Sequence, residues 1–270
     1  MLDQRLIEAD ASKLDELRDI MAHQEHPEKL HDIAMDAVLI EHGAVEKLSD
    51  CVRSLTGGKK ILLVTGPTLI NDVHEQNVKE AVCAQLKKSF DVEWLVISEP
   101  DSIVHCTPEN AARIQARFEG VDCVVGVGSG TICDLNKYAT FYADKEHPLP
   151  LIIVQTALSV NAFSDNSSVM LINGVKRTVH SRYPTILIID LDVVTEQAVQ
   201  IDKRRQHRVG IWRLPGEYAS FHGKDGCEQR FQFPQSVHSP FTSLSSFACI
   251  ASIQAFFDAD FAGLRKGFAT

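Results

Sequence analysis

Between residues 36 and 194, short apolar runs alternate with longer stretches in which apolar residues recur every three or four positions. The run "DAVLIE" (36–41) reads as a strand, and after Gly43 the spacing of Val45, Leu48, Val52 and Leu55 predicts a helix. Residues 61–64 ("ILLV") form a buried strand closed by Gly66 and Pro67, and "VHEQNVKEAVCAQLKKSF" (73–90) is expected to be helical. "DVEWLVIS" (91–98) is a further strand. In "TPENAARIQARFEG" (107–120), Thr107 is an N-cap, Pro108 opens the helix and Gly120 ends it. The runs "VDCVVGVG" (121–128), "LPLIIVQT" (149–156) and "TILIIDLDVV" (185–194) are buried strands; between the last two, residues 166–182 alternate and turn at Asn173-Gly174 like a β-hairpin.

Apolar strands joined by helices of this length imply a doubly wound α/β fold, because parallel neighbours need a crossover and both sheet faces are then covered. The stretch "MLDQRLIEADASKLDELRDIMAH" (1–23) reads as an amphipathic helix, with acidic residues where a signal peptide needs a basic start. Beyond about residue 206 no period holds, and prolines, glycines and aromatics are scattered. A serine-rich apolar helix near the C-terminus is the one element the pattern offers there. The expected division is a nucleotide-binding α/β domain over residues 1–200 and an incomplete, poorly patterned region over 201–270.

Composition narrows the partners. A formal net charge of −9 argues against a nucleic-acid or anionic-membrane surface, which needs clustered Lys and Arg, and favours a small-molecule substrate. No apolar run is long enough to span a bilayer. The seven cysteines are scattered without a C-x-x-C pair, which fits reduced thiols in a cytoplasm and suggests no cysteine zinc site. Cys123 lies in a buried strand and Cys133 on the next helix, so neither is read as reactive. Lys203, Arg204 and Arg205 are read as a solvated face. His222 and His238 lack the spacing of metal ligands.

Two loops carry candidate chemistry. In "GVGSGTICDLNKYAT" (126–140), a strand ends in Gly126, Gly128 and Gly130 and runs into a helix. Glycines there allow left-handed backbone and close approach of a phosphate to a helix N-terminus, with Ser129 and Thr131 as hydroxyl donors. A tight strand-to-helix turn that needs glycine only for packing is the alternative. The spacing is neither G-x-G-x-x-G nor a P-loop. The second loop, "QTALSVNAFSDNSSV" (155–169), follows another buried strand and is dense in hydrogen-bonding groups. Ligands of open α/β sheets sit outside the carboxyl ends of the strands, so two such loops suggest one crevice.

These blocks, with "GVKRTVHSRYPTILIIDLDVV" and "IDKRRQ", resemble over roughly residues 36 to 206 the superfamily of iron-containing alcohol dehydrogenases and dehydroquinate synthases, most of all its sn-glycerol-1-phosphate dehydrogenase branch. The resemblance implies an NAD or NADP pyrophosphate on Gly128, Ser129, Gly130 and Thr131, with Asp134 and Lys137 on the following helix. It implies nicotinamide-side contacts from Thr156 and Ser159. It sets Asn161 at a substrate-binding position where the branch usually has aspartate. It further implies a C-terminal all-helical domain and a divalent metal, zinc or iron. The G-x-G-D turn expected to supply the metal aspartate is missing after "DKRR", so the metal ligands are not found and the helical domain is expected only as a truncated or aberrant remnant. A frameshift near 205–209 would explain this, since codons for residues 209–218 read one base later can encode Leu-Gly-Phe-Gly-Asp-Tyr-Leu-Ala-Ser. The function so implied is metal-requiring oxidation at a CH–OH group of a small polyol or polyol phosphate. A dehydroquinate-synthase-like lyase and an inactive nucleotide-binding remnant are the alternatives, and a homo-oligomer is left open.

Overall fold

A computed structural model of the chain describes residues 10–24, 27, 32–100, 103–158, 162–194, 218–222 and 228–232. It divides into two units, one of Ile33–Gln197 and one of Met1–Asp32 with Ala198–Thr270. The first unit holds strands β1 (Ala37–Glu41), β2 (Lys60–Thr65), β3 (Asp91–Val96), β4 (Cys123–Gly128), β5 (Leu151–Gln155), β6 (Ser167–Ile172), β7 (Val175–His180) and β8 (Ile186–Asp190). Six of them form one sheet in the order β1-β8-β5-β4-β2-β3, parallel at every pairing. This is the doubly wound α/β architecture that the alternating pattern implies. All six carboxyl ends therefore lie along one edge, where a ligand of such a sheet is expected.

Burial follows the composition of each strand. β4, β5 and β8 are buried throughout, and β2 nearly so, which is why they read as unbroken Val, Ile and Leu runs. β3 is an edge strand and half-exposed. On one face of the sheet, Leu48 and Val52 of α2 (Leu48–Leu55) and Val82 and Leu86 of α3 (Val78–Lys87) pack with Ile61, Leu63, Val125, Ile152 and Val154. α4 (Pro108–Gln115) begins as expected, Thr107 accepting the Asn110 N–H at 3.2 Å. α5 (Gly130–Ala143) follows the glycine turn. β6 and β7 form a separate antiparallel hairpin; Asn173 (φ 52°) and Gly174 (φ 76°) are both left-handed, as a two-residue type I′ turn requires.

Two helices depart from the pattern, and side-chain acceptors explain both. Residues 73–77 are not helical, because the Asp72 carboxylate accepts the His74 and Gln76 N–H groups and Glu75 is left-handed (φ 62°). The helix waits for Asn77, whose side chain caps the Lys79 N–H. Similarly, the Asp190 carboxylate accepts the Gly43 and Val45 N–H groups, so the chain first makes a 3-10 turn (Ala44–Lys47).

In the second unit, α1 (Leu14–Ala22) is shorter than the amphipathic stretch suggests, and residues 1–9 lie outside the described residues. Strands β9 (Tyr218–His222) and β10 (Glu228–Gln232) pair antiparallel in a region where the sequence predicts no element. The expected C-terminal helix, His238 and the basic run at 203–205 lie outside the described residues, and of His222 only the backbone, at the end of β9, is described. Among the described residues no helix is long and apolar enough to cross a membrane.

Candidate functional site

The candidate site lies where β2, β4 and β5 end. α5 starts at Gly130 directly after β4, and its first intrahelical bond runs from the Cys133 N–H to the Ser129 carbonyl at 3.0 Å. Ser129 is exposed and its side chain does not cap the helix; no acidic residue stands in the first turn. The leading N–H groups of a fourteen-residue helix are thus left uncapped at the end of a buried strand, a geometry suited to an anion.

The glycines serve this geometry differently from the expectation. None of Gly126, Gly128 and Gly130 has a left-handed backbone. Instead they let α5 approach the sheet: a Cβ on Gly128 would lie 2.7 Å from Ile132 Cβ, and one on Gly126 would lie 2.8 Å from Ile153 Cδ1 and 2.9 Å from Asn136 Nδ2. The packing alternative therefore describes Gly126 and Gly128, and that packing sets where the helix N-terminus sits. Across the turn, the Thr156 N–H donates to the Gly128 carbonyl at 3.0 Å, which joins the β5 loop to the glycine turn. Thr156 is buried and Thr131 half-buried. Gln155, at the tip of β5, is fully buried; its Nε2 donates to the Ala157 carbonyl, and among the described residues its Oε1 has no partner.

Asp134 and Lys137, in the first two turns of α5, are buried inside the protein. Lys137 has no exposed surface, and its Nζ donates to Asp165 Oδ1 at 2.9 Å and to the Ala162 and Ser167 carbonyls at 2.5 Å each. These three bonds account for the three protons of the ammonium. Burial works to lower its pKa, but Asp165, Cys133 and Asp134 outweigh it and hold the group above the ordinary lysine value. Asp134 stands farther from that ammonium, at 4.0 Å, and accepts the Val169 N–H at 3.2 Å. With one cation facing two carboxylates, Asp134 is the poorly compensated one: burial pushes it up to about 7 against the pull of Lys137. Ser168 Oγ, bonded to the Asp134 carbonyl and to Ser181 Oγ, completes the attachment of the 162–168 loop to α5.

On the other flank, Gly66 at the end of β2 faces Ile132 in the first turn of α5. Lys79 of α3, 5% exposed, donates to the Gly66 and Thr68 carbonyls at 2.5 Å each. Sequence reasoning missed Lys79, although the signal was available: it shares the apolar stripe of Val78, Val82, Cys83 and Leu86, where a lysine is out of pattern. It also missed the pairing of Lys137 with Asp165, for which no local signal exists. Ser159 and Asn161 lie outside the described residues. Among the described cysteines Cys123 and Cys133 are buried free thiols, Cys123 pushed up to about 12 by burial and Cys133 pushed up further, so neither is a nucleophile.

A parallel α/β sheet with an uncapped helix N-terminus at its carboxyl edge defines a protein of the nucleotide-binding class in architecture. Residues 39–197 match the iron-containing alcohol dehydrogenases, and the chain belongs to that family. The NAD(P)+ glycerol-1-phosphate dehydrogenase of Halalkalibacterium halodurans is 28% identical over 168 residues, covering 61% of this chain and 39% of that protein. Its counterpart in Geobacillus thermodenitrificans is 23% identical over 169 residues, covering 62% and 39%. The sulfoacetaldehyde reductase of Bilophila wadsworthia is 29% identical over 163 residues, covering 52% and 39%. The chain spans about two fifths of the length of these curated relatives.

The family name implies a metal. Among the described residues no group of three or more His, Cys, Asp or Glu could hold one, and the segment after Arg205 where the metal aspartate is expected lies outside them. The described donor set does not fit a metal ion. The start of α5, where the Ser129 side chain does not cap and the first turn carries no acid, suits the anionic pyrophosphate of a dinucleotide.

Proposed function

We propose that the chain binds NAD or NADP across the ends of β2, β4 and β5 and serves oxidation or reduction at a CH–OH carbon of a small polyol phosphate. The observation that carries this reading is the uncapped N-terminus of α5, without an acid in its first turn, in a stretch that belongs to a dehydrogenase family. The named relatives lend support: one acts on a phosphate ester of a polyol, another on an aldehyde bearing a sulfonate. When bound, the nicotinamide supplies hydride exchange with the substrate carbon.

The chain's own residues bind and orient. N–H groups at residues 130–132 meet the pyrophosphate, with the Ser129 and Thr131 hydroxyls beside it. Thr156 lines the nicotinamide side, and Ser159 and Asn161 belong to the same loop. Lys137 and Asp134 act beneath the ligand: the ammonium is consumed by the 162–167 loop, so these residues position the β5 loop relative to the pyrophosphate turn.

Fluorescence titration of the full chain with NADPH and NADH, followed by glycerol 1-phosphate oxidation assays with zinc or iron added, tests the reading. Micromolar binding with metal-dependent turnover is the expected result. Binding without turnover removes the oxidoreductase assignment and leaves a nucleotide-binding protein; absence of binding removes both.

A further inference from the structure

The six-stranded sheet has two edges, and they are finished differently. β1 has no exposed residue along its length, whereas β3 exposes Asp91, Trp94 and Val96. Trp94 is 36% exposed and Val96 41%, in line with Val92, which packs against the core on the α2–α3 face. Side chains at alternate positions share a face, so these three form an apolar row along the edge strand. Trp94 is held in place there, its indole N–H donating to Thr65 Oγ1 at 3.0 Å.

The backbone of this edge is open. The Asp91 and Ile97 N–H groups donate inward, to the Lys59 and Thr65 carbonyls, at 2.8 Å each. Alternation along a parallel strand then turns the N–H and C=O groups of Val92, Trp94 and Val96 outward. Among the described residues nothing bonds them. Edge strands are commonly guarded against pairing by lysine, proline or a bulge. β3 has none of these: its sequence is Asp-Val-Glu-Trp-Leu-Val, and its pairing with β2 runs unbroken along its whole length.

We infer that β3 is the pairing edge for a second copy of this chain, the two strands meeting antiparallel about a two-fold axis at Trp94 so that the two sheets continue into one. The side chains set the register. With the axis at Trp94, that residue faces its own copy and Val92 faces Val96 of the second copy on one side of the sheet; on the other, Leu95 faces Glu93 and Ile97 faces Asp91. No acid meets an acid. Moving the axis one residue back sets Glu93 against Glu93, and moving it one residue on sets Asp91 against Glu99. Like charges directly opposite one another destabilise a strand pair. Lys87 and Lys88 stand before β3 and Glu99 after it, so antiparallel pairing also brings unlike charges toward each other at both ends. A two-fold contact needs a surface complementary to itself, and β3 meets that need with its axis at Trp94.

Sedimentation equilibrium of the full chain at loadings from about 1 to 100 μM tests this. The wild type is expected to be a dimer at the upper end of that range, as a small interface built on one strand pair allows. Val96→Lys, at an exposed side chain, and Leu95→Glu, which sets an acid against Glu93 of the second copy, are each expected to weaken association about tenfold, since every substitution counts twice across the axis. Leu95→Lys, which sets a cation against the same Glu93, is expected to keep association within about threefold of the wild type or to tighten it. Circular dichroism and urea midpoints establish that each variant is folded; Leu95 is half-buried, so Val96→Lys decides the question if the Leu95 variants do not fold. A wild type that stays monomeric throughout overturns the inference. So does a dimer that folded Val96→Lys leaves unchanged, because another surface then holds it. Equal weakening by folded Leu95→Glu and Leu95→Lys overturns the register at Trp94.

Discussion

At the scale of single residues, the fully buried Lys137 decides how firmly the site is held. Removing its ammonium leaves the Asp165 carboxylate and the Ala162 and Ser167 carbonyls without their donor. Lys137→Met is therefore expected to lose about 3–5 kcal/mol of stability, read from urea unfolding, because a broken buried pair strands its partner. Asp134 responds to pH in the opposite sense from an ordinary ion-paired carboxylate. Its folded value lies near 7 against an ordinary 3.8, so its contribution to stability is complete below about pH 3.8 and is lost as pH rises toward 7. Asp134→Asn abolishes that titration. Relative to the wild type, the variant is expected to gain stability between pH 5 and pH 8, by at most about 1.4 kcal/mol per pH unit. Urea midpoints of both proteins at the two pH values measure it, and parallel pH profiles would contradict the assignment. The resemblance singled out both residues from the sequence, but their pairing with Asp165 and Val169 spans 28 and 35 positions and is a product of the fold.

At the scale of elements, the glycine turn and its neighbour behave oppositely. A methyl on Gly128 would overlap Ile132, and the overlap is with the branch point of a helix side chain, so α5 must move off β4. Gly128→Ala is expected to cost about 1–3 kcal/mol and to weaken NADPH binding, because the helix N-terminus shifts with it. Gly66→Ala, with ordinary contact distances, should stay within about 0.5 kcal/mol of the wild type. Comparing the two by thermal unfolding and NADPH titration separates a packing glycine from a permissive one. The same contrast marks what the sequence could disclose. Strands β2, β4, β5 and β8 were legible because both their faces are buried, and the starts of α4 and of the β6–β7 turn because their signals are local, at Thr107-Pro108 and Asn173-Gly174. The start of α3 was not legible, since the Asp72 carboxylate captures the N–H groups that a helix from residue 73 would have used. Nor was the role of the glycines: three in five positions announce a bare backbone, but only the position of Ile132 reveals that packing requires it.

At the scale of the molecule, the unit Ile33–Gln197 contains everything the proposed site needs. All six strands of its sheet, β1-β8-β5-β4-β2-β3, belong to it, and so do the described core residues around Leu48, Ile61, Val82, Leu86, Val125 and Val154. The candidate site residues Gly66, Gly128, Ser129, Thr131, Lys137 and Thr156 all belong to it. A domain of this size is long enough to fold alone. The fragment comprising residues 33–197 is therefore expected to unfold in a single cooperative urea transition and to bind NADPH within about threefold of the full chain, a difference below about 1 kcal/mol. A fragment that fails to unfold cooperatively would show that the sheet depends on the second unit. A cooperative fragment with much weaker NADPH binding would instead assign part of the dinucleotide site to residues outside 33–197. Among the described residues of this unit no group of His, Cys, Asp and Glu could hold the family's metal. Cofactor binding and metal-dependent turnover are thus expected to separate in the fragment: affinity persists, while added zinc or iron produces no glycerol 1-phosphate oxidation.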